Sequence, residues 1–483
     1  MLGEYSSLFS QGTQLFEQER WAEAEVYFAR AAQAVPGDAP ATHNRALCLE
    51  RMGDYEQAAA CFALVTASAP FALDAQLGRG LALLQLGRPE EALPCLERAQ
   101  QNDLGEVSEQ ALFGHAVALH QLGRLDEAAA EYNRLMHLSP PSAELLANVV
   151  ALAAARKDDT VAREYATRLL LVRPQSKTAL EALVTVSLNQ EDFGAAVRYG
   201  AALVQIARDS YEAWFHLGLA LQNSNRASDA AEAYREALRL HSNSPEALLN
   251  LSGVLESLGD WESARMAAIQ AAQIAPEMSG ALWNAALLSE RADDAVGAER
   301  YLTRALEAWP EHAEARYRLG FIRLQRGDFQ AATELFEQCV AGRANWVGAL
   351  LNLGLAHWKC ERLDLAAQAY SRVLLYDQTN LEALRALAAI EVERKDANAS
   401  WLYLQRIPPG AERPAELCFN LGLLYVESGN LSRAADCYEL ALSENPDCIP
   451  ALINLGHVLQ AVGRGADARE SWEKARKFQA AAA

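Results

Sequence analysis

The sequence has no apolar run long enough to cross a membrane. Its 483 residues are 51% hydrophobic, yet no stretch approaches the roughly 20 consecutive apolar residues that a membrane-spanning helix needs. The N-terminal segment lacks the basic region and apolar core of a signal peptide. The eight cysteines include no CxxC pair, so the spacing of a zinc or redox site is missing. These absences predict a cytoplasmic protein without a membrane span or a metal site.

Basic residues are scarce relative to acidic ones. The chain has 43 Lys and Arg against 63 Asp and Glu, a formal charge of −20. A nucleic-acid backbone would be repelled by most of such a surface, so the charge predicts no nucleic-acid partner and favours basic clients. Serine-hydrolase, nucleotide-binding and metalloprotease motifs are also missing. The sequence therefore predicts no catalytic residues and no cofactor.

A 34-residue period runs through the chain, with a single 36-residue step. One position of each period stays small, as is required where two helices approach closely. We number this position 20 of each repeat. It is occupied by Ala24, Ala58, Ala92, Ala128, Ala162, Ala196, Ala230, Ala264, Ala298, Ala332, Ala366, Ser400, Ala434 and Ala468.

Other positions of the repeat are equally regular. Position 8 is usually small, as at Gly218 and Gly354, and position 24 is usually large, as at Tyr234 and Tyr370. The apolar positions 4, 7, 8 and 11 share one helical face, and positions 20, 24 and 27 share another. Glycine at position 15, as at Gly123, and proline at position 32 end the two helices. Each repeat is therefore predicted to be a helical hairpin.

This combination of positions resembles the tetratricopeptide repeat (TPR). The resemblance implies an all-α, right-handed solenoid of about 14 hairpins in one array over residues 5–482. Bends are expected near residues 107–108, where Val107 and Ser108 are inserted, and near 407–414, around Pro409. Val150, Val184 and Gly200 depart from the pattern. The predicted repeats begin at residues 5, 39, 73, 109, 143, 177, 211, 245, 279, 313, 347, 381, 415 and 449.

In the family that the chain resembles, the first helices line a concave groove. Position 6 points into that groove and here is often asparagine, although asparagine is a mediocre helix former. An amide can both donate to and accept from an extended peptide backbone, which is similar to the asparagine ladder of O-linked N-acetylglucosamine transferase. The alternative is that asparagine is merely usual at this position in TPRs. The predicted ladder is Asn44, Asn148, Asn250, Asn284, Asn352, Asn420 and Asn454.

Apolar residues accompany the ladder at groove positions 5, 9 and 12 of the C-terminal half. They are predicted to form a binding patch because aromatic anchors are typical of interfaces, and packing against neighbouring helices is the alternative. Arg318 is the one predicted basic groove residue. The family's chaperone-tail clamp is not expected, because position 5 has no Lys and position 9 no Asn. The patch comprises Trp283, Leu287, Tyr317, Phe321, Leu355, Trp358 and Phe419.

The sequence thus favours a noncatalytic scaffold or adaptor that binds an extended, basic or apolar segment of a partner protein. Two alternatives stay open. One is a platform that self-associates into homo-oligomers, for which the absence of a capping helix after the last repeat is weak support. The other is the substrate-selecting part of a larger enzyme, such as a glycosyltransferase, that would continue beyond Ala483.

Overall fold

The computed structural model describes residues 2–65, 71–100, 108–408 and 410–482. In those ranges the chain forms 28 α-helices and no β-strand. Each odd-numbered helix from α1 to α13 and from α17 to α27 packs against the even-numbered helix that follows it. We call the two members of each hairpin its first and second helices. The predicted all-α class of stacked hairpins is confirmed.

The chain divides into two compact units, Met1–Leu258 and Gly259–Ala483, which we call the N-terminal and C-terminal units. The helices of the N-terminal unit are α1 (Leu2–Glu17), α2 (Trp21–Ala34), α3 (Ala39–Arg51), α4 (Tyr55–Ala63), α5 (Ala72–Gln85), α6 (Pro89–Ala99), α7 (Glu109–Gln121), α8 (Leu125–Leu138), α9 (Ala143–Ala155), α10 (Asp159–Val172), α11 (Lys177–Asn189), α12 (Phe193–Ile206), α13 (Tyr211–Asn223), α14 (Ala227–Leu240) and α15 (Pro245–Ser257).

The C-terminal unit continues the same alternation of first and second helices. Its helices are α16 (Trp261–Ile274), α17 (Ser279–Arg291), α18 (Ala295–Ala308), α19 (Ala313–Gln325), α20 (Phe329–Gly342), α21 (Val347–Lys359), α22 (Leu363–Tyr376), α23 (Leu381–Glu393), α24 (Ala397–Arg406), α25 (Ala415–Glu427), α26 (Leu431–Glu444), α27 (Ile449–Ala461) and α28 (Gly465–Ala482).

The first helices begin where the 34-residue frame predicts, with two exceptions. The helix α1 begins at Leu2 rather than at Tyr5, and α5 begins at Ala72 rather than at Leu73. Side chains cap many of these N-termini. The hydroxyl of Ser142, for example, accepts a hydrogen bond from a backbone N–H of the first turn of α9, which satisfies a donor that the helix itself leaves unpaired.

Repeat position 15 is left-handed in all fourteen repeats. Glycine occupies half of these sites, and the predicted glycine C-caps are confirmed by φ values such as 73° at Gly123 and 88° at Gly463. The other sites carry residues with a Cβ atom, for which this conformation is strained. The non-glycine residues are Glu19, Lys157, Glu191, Asn225, Asp293, Glu361 and Lys395.

Small and large side chains of one repeat fit together as predicted. A Cβ atom added to Gly354 would lie 2.8 Å from the ring of Tyr370, and one added to Gly422 would lie 2.6 Å from the ring of Tyr438. The residues of position 20 are all buried. At this position Ser400 is stabilised because its hydroxyl donates to a backbone carbonyl oxygen 2.8 Å away.

The sixth repeat reverses this arrangement. Val184, at position 8, is fully buried, whereas position 24 holds Gly200. A Cβ atom on Gly200 would lie 3.4 Å from the Cα atom of Leu217 in the next repeat. The fifth repeat has the same reversal, with Val150 at position 8 and Ala166 at position 24, both buried. In these two repeats the larger side chain is therefore at position 8 and the smaller one at position 24, the reverse of the usual order.

The two predicted bends fall partly outside the described residues. Val107 lies outside them, while Ser108 caps α7. Pro409 also lies outside them, and the preceding helix α24 has 10 residues, compared with 14 in most other second helices of its unit. The bends and the single continuous array therefore stay predictions.

Candidate functional site

First helices of neighbouring repeats contact each other within both units. Such pairs include α9 with α11, α19 with α21, and α23 with α25. In the described part of the chain, second helices of successive repeats make no comparable set of contacts. Within each unit, first helices therefore lie beside one another, and we call the surface that they share the first-helix face. The predicted ladder and patch lie on the first helices.

The predicted ladder asparagines are all half-buried, but their partners differ. In the N-terminal unit the amide of Asn148 donates to the backbone oxygen of Glu144, 3.1 Å away in its own helix. Asn250 lies beside the hydroxyl of Tyr234; burial raises the pKa of this tyrosine and Asn250 partly offsets the rise. The position of Asn44 on α3 is equally half-buried. Several amides of the ladder are thus engaged within the protein.

The C-terminal unit holds the other four asparagines. Asn352 donates to the hydroxyl oxygen of Tyr317, 3.0 Å away on the preceding first helix. Asn454 interacts with Tyr438. Burial raises the pKa of this tyrosine, and its hydrogen bond with Asn454 lowers it. Among the residues described in this unit, Asn284 and Asn420 have no side-chain hydrogen bond within the protein. These two half-buried amides can therefore pair with an added backbone.

The aromatic residues of the patch pack against the protein more than the sequence indicates. The ring of Tyr317 stacks on Trp346, with centroids 4.8 Å apart. The ring of Trp283 contacts His312 at 4.6 Å, and the imidazole of His312 accepts a hydrogen bond at the start of α19. Trp346 and His312 precede first helices and were not among the predicted site residues. Their aromatic character was the only signal for these contacts.

Arg318 is not a free cation. Its guanidinium lies 2.6 Å from a carboxylate oxygen of Glu290 and 3.4 Å from one of Glu314, and it lies 5.6 Å from the ring of Trp283. Because the side chain is about a third exposed, water screens these pairs. Two carboxylates nevertheless face one guanidinium, so the local surface is net acidic.

The remaining patch residues border two open cavities. Phe321 is 41% exposed and, with Tyr317 and Arg318, lines a cavity of about 470 Å³. Leu355 and Trp358 line a second cavity of about 680 Å³. Phe419 and Leu287 are half-buried on α25 and α17. Four of the seven predicted patch residues thus line one or the other of these cavities, and Trp283, Leu287 and Phe419 line neither.

The indole N–H of Trp358 donates to a carboxylate oxygen of Glu393 at 3.0 Å. This bond joins α21 to the next first helix, α23, across the second of these cavities. The ring of Trp358 is only half-buried, so a partner can still reach it.

The sequence analysis missed the largest of the cavities described, which lies in the N-terminal unit. It has a volume of about 740 Å³ and is lined by residues of α5, α7, α8 and α9 together with the α8–α9 connection. Two features could have pointed to it. Position 6 of the fourth repeat is Gly114 instead of asparagine, and the connection contains the consecutive prolines Pro140 and Pro141.

The cysteines behave as packing residues where they are buried. All eight are free thiols; Cys360 and Cys448 are partly exposed and the other six are buried. Burial raises the pKa of Cys339 and of Cys418 to about 11. Among the described residues, no group of three or more His, Cys, Asp or Glu side chains is placed to hold a metal ion. No described helix combines the length and apolar character of a membrane span.

Several known proteins match parts of this chain. Tetratricopeptide repeat protein 8 of Caenorhabditis elegans is 23% identical over 189 residues, which cover 38% of this chain and 37% of the relative. Cellulose synthase 2 operon protein C of Komagataeibacter xylinus is 27% identical over 269 residues, which cover 51% and 20%. Human Protein O-mannosyl-transferase TMTC3 is 22% identical over 292 residues, which cover 56% and 32%. The chain spans less than two fifths of each relative.

Solved structures align with this chain at low identity. The APC/C hetero-tetramer Cut9-Hcn1 aligns over 94% of this chain and 96% of its own with 13% identity and a TM-score of 0.33. YrrB, described as a TPR protein with an unusual peptide-binding site, aligns over 46% and 97% with 18% identity and a TM-score of 0.30.

Family models agree with the repeat pattern. One model described as tetratricopeptide repeat matches residues 43–105, 77–143, 215–279 and 323–380. Further models with the same description match residues 289–338, 415–448 and 449–474. Together these matches cover more than half of the chain, with the period and helical hairpins described above. The chain belongs to the tetratricopeptide repeat family.

Proposed function

We propose that this protein is a noncatalytic scaffold or adaptor that binds an extended segment of a partner protein along its first-helix face. The observation that carries the proposal is the state of Asn284 and Asn420. Both amides are half-buried on that face, without a side-chain hydrogen bond among the residues described in the C-terminal unit. Apolar neighbours such as Trp283 and Phe419 flank them. An amide with unused donors and acceptor beside apolar surface suits a peptide backbone and its side chains.

The spacing of the repeats suits an extended chain. Packed helices lie about 8–10 Å apart, and an extended peptide advances about 3.3 Å per residue. One repeat therefore corresponds to about three peptide residues. Asparagines at this repeat position within one unit could hold a backbone in register without reading its sequence.

The charge of the protein favours basic or apolar clients. The formal charge is −20, and Arg318, on the proposed face, is already paired with two carboxylates. Nucleic acid is disfavoured for the same reason. Free and mostly buried thiols support a reducing compartment such as the cytoplasm.

The proposal is tested with a client and a ladder variant. Affinity capture with mass spectrometry identifies the client, and a synthetic peptide of its bound segment is titrated by calorimetry. Replacing Asn284, Asn352, Asn420 and Asn454 together by Ala should weaken binding by about 0.5–1.5 kcal/mol for each bond lost. Alanine has the higher helix propensity, whereas loss of the bonds of Asn352 with Tyr317 and of Asn454 with Tyr438 lowers stability, so thermal unfolding of the variant is measured as well. Unchanged affinity in the quadruple variant would show that these asparagines do not bind the client and are only usual residues at this position of the repeat.

A second candidate follows from the relatives. The chain matches about a third of a protein named O-mannosyl-transferase, which supports a role as the substrate-selecting part of a larger enzyme. The length of the coding sequence separates this candidate from a free-standing adaptor. Self-association into a platform is a third candidate, which light scattering coupled to size-exclusion chromatography tests.

A further inference from the structure

The junction between the fourth and fifth repeats differs from the other junctions of the N-terminal unit. At the two junctions that follow, a backbone N–H at position 34 donates to the carbonyl oxygen at position 31, as from Ser176 to Arg173 at 3.0 Å. Proline is disfavoured at the third position of such a turn, because it forces the preceding residue out of the α conformation. Pro141 occupies that position, after Pro140.

The backbone responds as these prolines require. Ser139 is fully extended, with φ −148° and ψ 159°, and the connection from Ser139 to Ser142 contains no hydrogen-bonded turn. The helices α8 and α9 consequently contact each other less than the helices at the other described junctions of the unit. A small cavity of about 180 Å³, lined by residues of α8, α9 and α10, accompanies the loosened packing.

The larger cavity borders the same junction. Its volume of about 740 Å³ lies within the range of roughly 300–1,000 Å³ that is typical of ligand pockets. Gly114 is part of its wall and packs closely there, since a Cβ atom would approach within 2.9 Å of Leu96 and 3.1 Å of Leu81. The cavity therefore lies between a closely packed glycine of α7 and the connection that contains the two prolines.

The lining combines apolar surface with negative charge. Leu81, Phe113 and Val117 supply apolar side chains from two neighbouring first helices. Glu109 and Glu144 are exposed carboxylates at the start of α7 and α9, and the cavity lining contains no Lys, Arg or His. The oxygen of Glu109 accepts a hydrogen bond from Ser139 at 3.1 Å, which orients it beside the connection.

We propose that this cavity is an anchor site for one bulky apolar side chain of a client segment, with a Lys or Arg next to it in sequence. The apolar side chain contacts Phe113 and Val117, and the cation faces Glu109 and Glu144. The proposal rests on the proposed function, because it assumes that the first-helix face binds a chain. It places an additional site in the N-terminal unit, apart from the asparagines of the C-terminal unit.

The probe is a fluorescein-labelled peptide with one Phe-Lys pair between flexible Ser-Gly repeats. Two companion peptides carry Phe-Glu or Ala-Lys in its place. Fluorescence anisotropy of the full chain should show saturable binding of the Phe-Lys peptide and at least about tenfold weaker binding of both companions. Equal binding of all three peptides, or no binding of the Phe-Lys peptide, would overturn the anchor site.

Variants locate the binding. Val117→Trp should fill the cavity and weaken the Phe-Lys peptide by about tenfold or more. Position 9 tolerates an aromatic ring, since Phe321 occupies it on α19. Thr185→Trp is the matched control, because Thr185 occupies the same repeat position, is exposed, and lies outside the cavity lining. This control should bind the peptide as the parent does, and both variants should keep the helical circular dichroism of the parent.

The two carboxylates and the proline are tested separately. Glu109→Gln with Glu144→Gln should weaken the Phe-Lys peptide by about three- to tenfold and reduce its dependence on salt. Pro141→Asp should permit the turn that the neighbouring junctions have, close the junction, and weaken the peptide. A parent-like affinity in the Val117→Trp variant contradicts the site even if these variants behave as expected.

Failure of this inference is distinguishable from failure of the proposed function. The quadruple asparagine variant should bind the Phe-Lys peptide normally. If that variant loses the peptide while Val117→Trp does not, the C-terminal unit is the binding surface; the anchor site is then wrong and the proposed function stands. If Val117→Trp abolishes self-association of the chain, measured by light scattering, and the peptide does not bind, the cavity takes a second copy and the inference is likewise overturned.

Discussion

The two units bury their cores differently. In the C-terminal unit one cluster of buried side chains runs from Leu324 to Ala468. In the N-terminal unit the described core between Ala24 and Val186 divides into several smaller clusters. The continuous core accompanies regular pairs of a small position 8 and a large position 24. Some of the separate clusters lie at the loosened α8–α9 junction and at the reversed fifth and sixth repeats, and others lie in the first repeats.

This difference bears on function, because the two units present different binding features to a partner. The C-terminal unit presents amides at one repeat position of four repeats, together with half-buried rings. The N-terminal unit presents a cavity. Substitutions in each unit test this difference between the two units.

The largest effect is expected at Tyr370, which is 2% exposed in the continuous core. Tyr370→Ala should lower the free energy of unfolding by about 3 kcal/mol or more, because the ring fills the space above Gly354. Urea denaturation followed by circular dichroism measures the loss. Tyr376→Ala, on the same helix α22 but 52% exposed, is the control and should change little. A loss below about 1 kcal/mol at Tyr370 would contradict the continuous core.

The next effect is expected in binding by the C-terminal unit. Trp358→Ala should cost an extended client about 2 kcal/mol of binding free energy, because the half-buried ring lines an open cavity. Calorimetry measures the affinity and thermal unfolding measures the stability. Leu402→Ala changes an exposed residue of the second helix α24 and should leave binding unchanged. A large stability loss with intact affinity would assign Trp358 to the core.

A smaller effect is expected where one repeat ends its first helix with glycine and the next does not. Lys157→Gly should stabilise the N-terminal unit by about 1 kcal/mol, since Lys157 is exposed with φ 56° and glycine removes the strain. Gly123→Ala in the preceding repeat should destabilise it by a similar amount. An added Cβ atom at Gly123 meets no neighbour, so the cost is conformational. If both changes are neutral, the left-handed C-caps are not strained.

Much of the fold could be predicted because the same pattern of small, large and helix-ending residues recurs in each 34-residue repeat. The all-α class, the glycine C-caps and the fit of Tyr370 against Gly354 all follow from local spacing. The reversed packing of Val184 and Gly200 was visible as a departure, but its compensation was not, because it depends on contact with Leu217 in the next repeat. Spacing within one repeat does not reveal such contacts.

The candidate site could be predicted less well for the same reason. The asparagines lie on first helices as expected, but some of them bond to side chains of other repeats, as Asn352 does to Tyr317. Arg318 was predicted as a basic groove residue, and its pairing with Glu290 depends on how neighbouring first helices are aligned. The N-terminal cavity was missed because it depends on how helices of three repeats are aligned beside the connection at Pro141.

The most direct test of the central claim, that free asparagine amides hold a client backbone, is a double-mutant cycle. Asn420→Ala is combined with N-methylation of each backbone amide of the client peptide in turn, and calorimetry gives the coupling free energy for each pair. One backbone position should couple to Asn420 by about 1 kcal/mol, and a position about twelve residues away should couple to Asn284, four repeats before it. Coupling near zero at every methylated position would contradict the account.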